Sequence, residues 1–384
     1  MSSHLSAASP GALLAKIRAA GGLTRQQLLD ETGTARSTLF SRLDLLAGAG
    51  LIYEASRLSS TGGRPASVIS FDGRDRVVLT IDIGHHRATV SLADLEGRSR
   101  TEEVVARGSG PLPEFVDALG GVGERLLADA DGVRLLGVGL ALPAPVNSHT
   151  GGRLSSVAPP DGRYPIISAL ARRFGTDVSV ENDARALALG AASEVPPLAD
   201  DGVLIGVKWS TGVGLGLITG GHVLRGYSGA AGDLGHLLIT PGTGPACSCG
   251  RRGCLAAYVS GWALVRDLDR PDVSTVADVA SLYDADDART VEPVHDAART
   301  LGTHLGGFVQ VADPQHVAFG GFLGGRPAIT EHVIAAIKPL LSDRISDAAQ
   351  YRVVNGDHTT ASGLVTLVVA HALDPEVIDR RVLG

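Results

Sequence analysis

The chain has 384 residues, of which 44% are hydrophobic and 20% charged, and this composition is typical of a soluble globular protein with more than one domain. No apolar run reaches the length of a membrane span and no secretory signal opens the chain, so we expect a cytoplasmic protein without membrane contact. Three cysteines in so long a chain argue against a secreted disulfide framework. The net charge of −7 is uneven, since residues 1–75 carry more Arg and Lys than Asp and Glu. A mildly basic head on an acidic body is compatible with DNA binding through the head alone.

Residues 1–75 are predicted to form a winged helix-turn-helix. A leucine-rich helical period opens the segment, Thr24 has the position of an N-cap for a second helix, and Gly33 ends that helix. We expect a third helix to begin at Thr34 and to end at Gly48–Gly50. The segments LIYEASR and ASVISF, separated by SSTGGRP, then predict a β-hairpin with a tip rich in glycine and arginine.

The third helix is the predicted recognition helix, because in such modules its N-terminal residues enter the major groove. Arginine makes paired hydrogen bonds to guanine, and short hydroxyls bind phosphates or bases. The candidate DNA contacts, on the helix face opposite the leucines and beside the wing, are Arg36, Ser37, Thr38, Arg42, Arg57 and Arg64. The expected partner is a double-stranded, pseudo-palindromic operator. The alternative is a small helical protein–protein module with a solvated basic face.

The remaining residues, 76–384, repeat one pattern. The apolar segment VVLTIDIG opens a strand–turn–strand unit, after which helices and buried strands alternate as far as DVSVEND. The segment DGVLIGVKWSTGVGLGLITGGHVLRG opens a second unit of the same kind. Two such halves predict an α/β body with the two-lobed fold of actin-like ATPases and a ligand cleft between the lobes. We place the first lobe at 76–183 and the second at 184–384, with a C-terminal helix that can return to the first lobe.

Five motifs carry a resemblance to a known family: GGRPA (62–66), VENDA (180–184), STGVGLG (210–216), AGDLGH (231–236) and CSCGRRGC (247–254). On these residues the chain resembles the ROK family (repressor, open reading frame, kinase), in the branch of regulators with an N-terminal winged helix. The resemblance extends over nearly the whole chain and is weakest towards the C-terminus. It implies a sugar-responsive DNA-binding transcription regulator, and repression is the commoner outcome in this family.

All three cysteines lie within eight residues, in the pattern C-x-C-G-x-x-G-C. Thiolates at this spacing can converge on one tetrahedral ion, and the two glycines allow the chain to reverse. Three sulfurs leave one ligand missing, for which His236 is the candidate. The resemblance implies a structural zinc site formed by His236, Cys247, Cys249 and Cys254. The alternative is a redox cluster or a set of unused thiols.

The resemblance also assigns sugar-binding residues. In ROK sugar kinases a glutamate that binds sugar hydroxyls stands at the position of Asp233, and His236 would direct its second ring nitrogen towards the sugar. Asn182 and Asp183 match the family's sugar-binding pair, in which the aspartate is the general base of the kinases. An Asn-Asp pair after a strand has the alternative role of a helix N-cap, and the two roles are compatible.

Three departures from the family predict that the body has lost kinase activity. Where the kinases carry Asp-x-Gly-Gly-Thr in the first phosphate loop, this chain has His85 and His86 in the last two positions. Ala256 replaces a glutamate that contacts the sugar, and Asp233 is one methylene shorter than its counterpart. ATP and Mg²⁺ are therefore not expected as cofactors, and Asp183 is at most a vestigial base. The residues of a vestigial nucleotide site, which the fold alone can require, are Asp82, Gly84, Thr211, Gly212, Gly214, Gly320 and Gly321.

Three functions compete at this point. In the first, a sugar or sugar derivative binds the body of a homodimeric or homotetrameric regulator and changes its DNA affinity. In the second, the protein is a bifunctional hexose kinase that also binds DNA, and it consumes ATP steadily. In the third, the body is only a dimerisation platform and binds no sugar.

Overall fold

The computed structural model describes residues 8–56, 67–146 and 165–384. The head has the element order predicted for a winged helix-turn-helix, and β1, β3 and β2 form an antiparallel sheet in that order. Its elements are α1 (Pro10–Ala19), β1 (Leu23–Thr24), α2 (Arg25–Thr32), α3 (Arg36–Gly48), β2 (Ile52–Ser56) and β3 (Ser67–Phe71).

The predicted ends of the second helix are confirmed. Thr24 and Gln27 form a capping box at the start of α2, and Gly33 ends the helix with a left-handed φ of 60°. The third helix begins at Arg36, so its predicted start at Thr34 is wrong by two residues. The reason is that Ala35, with ψ of 141°, occupies the extended N-cap position and supplies no side-chain cap.

The first lobe of the body is a five-stranded sheet in the order β6-β5-β4-β7-β8, with β4 antiparallel to β5 and parallel to β7. Helix α6 follows the last strand directly. The elements are β4 (Arg76–Ile83), β5 (Arg87–Ala93), β6 (Ser99–Ala106), α4 (Leu112–Asp129), β7 (Arg134–Leu142), α5 (Ile166–Phe174), β8 (Val178–Asn182) and α6 (Asp183–Glu194).

A second five-stranded sheet has the order β11-β10-β9-β12-β13. Its central strand β9 is antiparallel to β10 and parallel to β12, just as β4 is antiparallel to β5 and parallel to β7 in the first sheet. The predicted repeat of one strand–turn–strand theme is therefore confirmed. The elements are β9 (Val203–Trp209), β10 (Val213–Thr219), β11 (His222–Val223), α7 (Ala256–Val259), α8 (Gly261–Leu268), α9 (Val276–Asp284), α10 (Ala288–Ala312), β12 (His316–Gly320), α11 (Gly321–Gly324), α12 (Pro327–Ile337), α13 (Asp343–Ala348), β13 (Gln350–Val353), α14 (Gly356–Ala372) and α15 (Pro375–Leu383).

The last two helices connect the parts of the molecule. Helix α14 packs along α6 and across β7 and β4 of the first sheet, while α15 packs against α1 and α3 of the head. The approach of α14 to α6 is so close that neither Gly190 nor Gly363 has room for a Cβ atom against the facing backbone. Among the described residues no single helix is long and apolar enough to span a membrane, whereas α14 and α15, bent by 52°, meet that criterion only as a pair.

Candidate functional site

A buried ion triad lies between the two sheets. The Nζ atom of Lys208, on β9 of the second sheet, is 3.1 Å from Oδ2 of Asp82 on β4 of the first sheet. The same Nζ atom is 3.2 Å from Oδ2 of Asp183, the first residue of α6. The side chains of Lys208 and Asp82 are each 12% exposed and that of Asp183 is 20% exposed. One ammonium therefore links two carboxylates that sequence reasoning had assigned separately to phosphate and sugar.

The electrostatics of the triad follow from this burial. Burial raises the pKa of Asp82, and the ammonium of Lys208 opposes that rise. Burial by itself lowers the pKa of Lys208, but the two carboxylates outweigh it and hold that pKa above its ordinary value. Lys208 is consequently charged at neutral pH.

Asn182 and Asp183 perform the capping role that the sequence suggested as an alternative. The side-chain oxygen of Asn182 accepts hydrogen bonds from the amides of Ala184 and Arg185 at 3.1 and 3.2 Å. Its amide nitrogen donates to Oδ1 of Asp183 at 3.1 Å and to the carbonyl of Ala144 at 3.3 Å. Because Oδ1 of Asp183 also accepts from the Ala184 amide, Oδ2, which pairs with Lys208, is the oxygen less committed to the backbone.

The loop that carries Asp233 and His236 is anchored on the second sheet. Gly232, at φ of 90°, has no room for a Cβ atom against the carbonyl of Leu215, and the Leu215 amide donates to the Gly232 carbonyl at 3.0 Å. Asp233 is exposed, and His236 ends a short 3₁₀ turn. A Cβ atom on the neighbouring Gly235 would lie 3.3 Å from that of buried Ala256. Ala256, which stands where the family's kinases have a glutamate, is thus in contact with this loop.

A buried charge network joins the start of α6 to this loop. Glu181 is fully buried and Arg185 is 1% exposed, and their side chains form an ion pair of 2.7 Å. Arg185 also donates to the carbonyl of Gly229 at 2.8 Å, and Arg225 pairs with Glu181 at 2.8 Å. A buried ion pair is retained only when its remaining hydrogen bonds are satisfied, and here they are directed to the loop backbone. The network therefore fixes the loop relative to Asp183.

Sequence reasoning missed Lys208 and this network. Signals for both were present in the sequence. Lys208 interrupts the apolar strand segment VLIGVKW, and a charge inside a buried strand needs a partner. Glu181 and Arg185 stand four residues apart across the strand–helix junction, the spacing at which opposite charges meet on a helix.

The cysteine cluster has the geometry of a metal centre. The ligand atoms of His236, Cys247, Cys249 and Cys254 all lie within 4.8 Å of one another. His236 Nδ1 is 3.6 Å from Cys247 Sγ, and Cys249 Sγ is 3.6 Å from Cys254 Sγ. A tetrahedral zinc ion places two thiolate sulfurs about 3.8 Å apart and a sulfur and an imidazole nitrogen about 3.5 Å apart. The described residues therefore fit a closed four-ligand site, in which the ion would hold the loop of Asp233 and His236.

One thiol of the cluster, that of Cys249, has a lowered pKa. Burial opposes ionisation of Cys249, but hydrogen bonds from Arg251 lower the pKa of its thiol to about 6. Burial raises the pKa of the neighbouring Cys254 to about 12. Cys249 is therefore the thiol that ionises more readily, and a bound cation would have to displace the proton of Cys254.

The first phosphate loop is a tight turn closed by the chain itself. The Gly84 amide donates to the Arg87 carbonyl at 2.8 Å, and both histidines of the turn are exposed. Although the side chain of His85 is exposed, the surrounding atoms of the cleft remove part of its hydration and lower its pKa, which favours its neutral form. The guanidinium of Arg87 pairs with Asp357 of α14 and lies 4.8 Å from the ring centre of Phe322. Arg87 thereby links β5 of the first sheet to α11 and to the start of α14 beside this turn.

Packing explains several glycines that were assigned to a vestigial nucleotide site. A Cβ atom on Gly214 would lie 3.2 Å from that of Ala184 on α6. Gly321 has φ of 96° and faces the carbonyl of Trp209, where a Cβ atom would lie at 2.6 Å. Gly320 is similarly enclosed by Leu187. By contrast, Gly212 faces open space in the turn that follows β9, next to Thr211.

The predicted DNA contacts are not equally accessible. Arg36 and Ser37 are exposed at the start of α3, with the guanidinium of Arg36 5.4 Å from the ring centre of Phe40. Thr38 is half-buried. Arg42 is half-buried as well, and its guanidinium donates to the carbonyl of Ala8. The two wing candidates, Arg57 and Arg64, lie outside the described residues.

Two five-stranded sheets of the same strand order, with charged residues between them, define an actin-like α/β body of the sugar kinase class. Residues 78–371 match the ROK family, and the chain belongs to that family. It is 25% identical to a xylose repressor of Bacillus subtilis over 94% of this chain and 95% of the relative. It is 30% identical to an N-acetylmannosamine kinase of Shigella flexneri over 67% of this chain and 88% of the relative.

A solved structure has the same overall fold. It is a ROK family transcriptional regulator described as a homologue of the E. coli Mlc protein. The comparison covers 99% of this chain and 100% of that chain, with a TM-score of 0.74 and 21% identity. The predicted combination of a head with a two-lobed kinase-like body is thus the fold of a known regulator.

Proposed function

We propose that the protein is a transcriptional repressor that binds DNA through α3 and responds to a sugar or sugar derivative bound by its kinase-like body. The observation that carries this proposal is a hydrophobic core shared by head and body. That core contains Leu13 and Leu39 of the head, Leu136 of the first sheet, and Val365 and Ile378 of the last two helices. A ligand that moves these helices would also move the head.

A continuous set of packed elements leads from the candidate sugar site to this core. Asp183 is the first residue of α6, and α6 makes its most extensive contact with α14. The far part of α14 enters the shared core through Val365 and Val368. Because α6 and α14 touch through glycines, a shift of α6 cannot be absorbed by side-chain rearrangement between them. This packing supports coupling between the two sites.

The last helix borders the DNA-binding face. A groove of about 810 Å³ separates the exposed side of α3 from α15, and Ser37, Phe40 and Leu45 face Arg381 across it. A change in the position of α15 would therefore alter the surroundings of α3 directly. In a homo-oligomer formed through the bodies, two heads would bind the two halves of a pseudo-palindromic operator. The complex would form in the cytoplasm.

The sugar contacts in this proposal are those of Asn182, Asp183, Asp233 and His236. Zinc held by His236 and the three cysteines would orient the imidazole, whose second nitrogen remains for the sugar. Kinase activity is absent in this proposal. The ammonium of Lys208 next to Asp183 makes this carboxylate a weaker general base. In addition, two histidines stand in the first phosphate loop.

Operator binding with and without a sugar panel, at a stated salt concentration, tests the proposal. The panel includes D-xylose, D-glucose, N-acetylglucosamine and N-acetylmannosamine. We expect one sugar both to raise the Tm of the protein and to reduce operator affinity. A body that no sugar stabilises, combined with unchanged operator binding, would instead support the dimerisation-platform alternative.

A second function is favoured by the 30% identity to an N-acetylmannosamine kinase and by the retention of Asp82 and Asp183. In that case the body would phosphorylate a hexose and the head would still bind DNA. Steady consumption of ATP that depends on a sugar distinguishes this bifunctional kinase from the regulator.

A further inference from the structure

We propose that Lys208 is a latch between the two lobes, which the sugar must release in order to bind Asp183. The inference rests on the proposed function, because it explains how occupancy of the body would be transmitted. Lys208 belongs to the first strand of the second sheet, and Asp82 belongs to the first strand of the first sheet. Their contact at 3.1 Å therefore spans the cleft, and Asp183 at 3.2 Å adds the start of α6.

The contact of Lys208 with Asp82 is more buried than the ion pair of Arg87 with Asp357. The side chains of Lys208 and Asp82 are both 12% exposed, whereas those of Arg87 and Asp357 are 36% and 44% exposed. Solvent screens an exposed pair and leaves it weak, while a buried pair is costly to break on one side only. The contact of Lys208 with Asp82 is therefore the less screened of these two ion pairs.

A sugar and Lys208 compete for the same atom. Oδ1 of Asp183 already accepts hydrogen bonds from Ala184 and Asn182, so a sugar hydroxyl reaches the carboxylate at Oδ2. Oδ2 is the oxygen that contacts Lys208. A hydroxyl that donates to Oδ2 draws it away from the ammonium and weakens the contact of Lys208 with Asp183, the residue that directly follows β8 of the first sheet. Because sugar binding and the contact of Lys208 with Asp183 oppose each other, a protein without Lys208 should bind the sugar more tightly.

The double variant Asp82→Asn with Lys208→Met tests this competition. The single change Lys208→Met would leave two carboxylates without a counterion and could prevent folding, whereas the double variant removes one charge of each sign and leaves Asp183 intact. Lys338→Met, a change of the same type at an exposed lysine, is the matched control. The probe is the panel sugar that most raises the Tm of the wild type.

We expect the double variant to bind this sugar at least about threefold more tightly than the wild type, because the competing ammonium is gone. Its operator affinity without sugar should approach that of the sugar-bound wild type. The ratio of operator affinities without and with sugar should therefore be less than about a third of the same ratio in the wild type. Lys338→Met should match the wild type in both respects. Equal or weaker sugar binding, or a full operator response, in the double variant would overturn the latch.

Hydrogen exchange without any ligand separates this inference from the proposed function. In the double variant, amides of residues 83–87 and 208–212 should exchange at least about threefold faster than in the wild type and in Lys338→Met. If the wild type ignores every sugar but this acceleration occurs, the proposed function and the release by sugar fail, whereas Lys208 still holds the two lobes together. Unchanged exchange in both segments refutes the latch whatever the sugar response is.

Discussion

The carboxylate of Asp379 accepts a hydrogen bond from the backbone amide of Gly11 at 2.7 Å, although the two residues are 368 positions apart. Gly11 lies in the first turn of α1 and Asp379 in the last helix, and Gly11 has no room for a Cβ atom against Pro375. The two ends of the described chain are thus packed backbone against backbone. The head is therefore positioned by the body and not only by the short connection at residues 72–75 between β3 and β4.

Ile378→Ala should destabilise head and body together. Ile378 is fully buried in the shared core, and truncating a buried isoleucine to alanine typically costs about 2–5 kcal/mol. We expect a lower urea midpoint in a single transition observed by both far-UV circular dichroism and tryptophan fluorescence. Leu383→Ala, at a side chain that is 61% exposed, is the control and should have little effect. An earlier transition in circular dichroism, without a matching change in the fluorescence of Trp209 and Trp262 in the body, would show that head and body unfold independently.

Protein purified without added metal should contain one equivalent of zinc. The four ligand atoms lie within 4.8 Å of one another, and hydrogen bonds from Arg251 lower the pKa of the Cys249 thiol. Chelation should lower the Tm and weaken sugar binding, because the metal would hold the loop of Asp233 and His236. Elemental analysis before and after chelation measures the metal content. Less than about half an equivalent, together with an unchanged Tm after chelation, would contradict a structural zinc site.

Arg36→Ala should weaken operator binding and leave sugar-induced stabilisation intact. Arg36 is exposed at the start of α3, and loss of an arginine that reads a base typically costs about 1–3 kcal/mol and relaxes sequence preference. Fluorescence anisotropy on the operator and on a scrambled duplex measures both effects. Arg344→Ala, at an exposed arginine of the second lobe, is the control. Unchanged affinity in Arg36→Ala would reject α3 as the recognition helix.

Arg42→Ala should behave differently from Arg36→Ala. The Arg42 guanidinium donates to the Ala8 carbonyl, so its removal leaves a half-buried acceptor without this partner and should lower the Tm of the head. A loss of operator affinity without any loss of Tm would mean that Arg42 contacts DNA and that its bond to Ala8 is dispensable.

Asp183→Asn should impair the sugar response without abolishing DNA binding. Hydrogen bonds to a charged group are worth about 1.5–3 kcal/mol, so sugar affinity should fall by roughly tenfold or more. Asp183 lies at the start of α6, outside the elements of the head. Isothermal titration with the stabilising sugar, and operator titration in its presence, provide the two readouts. An identical dose–response curve for variant and wild type would show that the sugar does not bind Asp183.

The wild type with Mg-ATP and a bound sugar should show no phosphoryl transfer above a control without protein. Phosphoryl transfer depends on positioning the phosphates and spreading their charge, and here His85 and His86 stand in the first phosphate loop. A coupled ADP assay measures turnover. Activity that appears only after His85→Gly is combined with His86→Thr would identify a decayed kinase. Robust turnover by the wild type would instead support the bifunctional alternative.

The sequence by itself determined the features that depend on local spacing. The N-cap at Thr24 and the end of α2 at Gly33 follow from neighbouring residues and were predicted, and an N-cap at the Asn182–Asp183 pair was predicted as an alternative role. The two halves of the body were predicted because each opens with the same apolar strand–turn–strand pattern. The four candidate metal ligands were found because the cysteines are clustered within eight residues.

Only the tertiary structure decided which distant residues meet. Lys208 shares its ammonium between Asp82 and Asp183 because the first strands of two separate sheets face each other, a relationship that no sequence spacing encodes. The contact of Asp379 with Gly11 likewise depends on the course of α14 across the first lobe. Local propensity specifies the helices and strands, whereas partners across the cleft and between head and body are selected by the packing of whole elements into common cores.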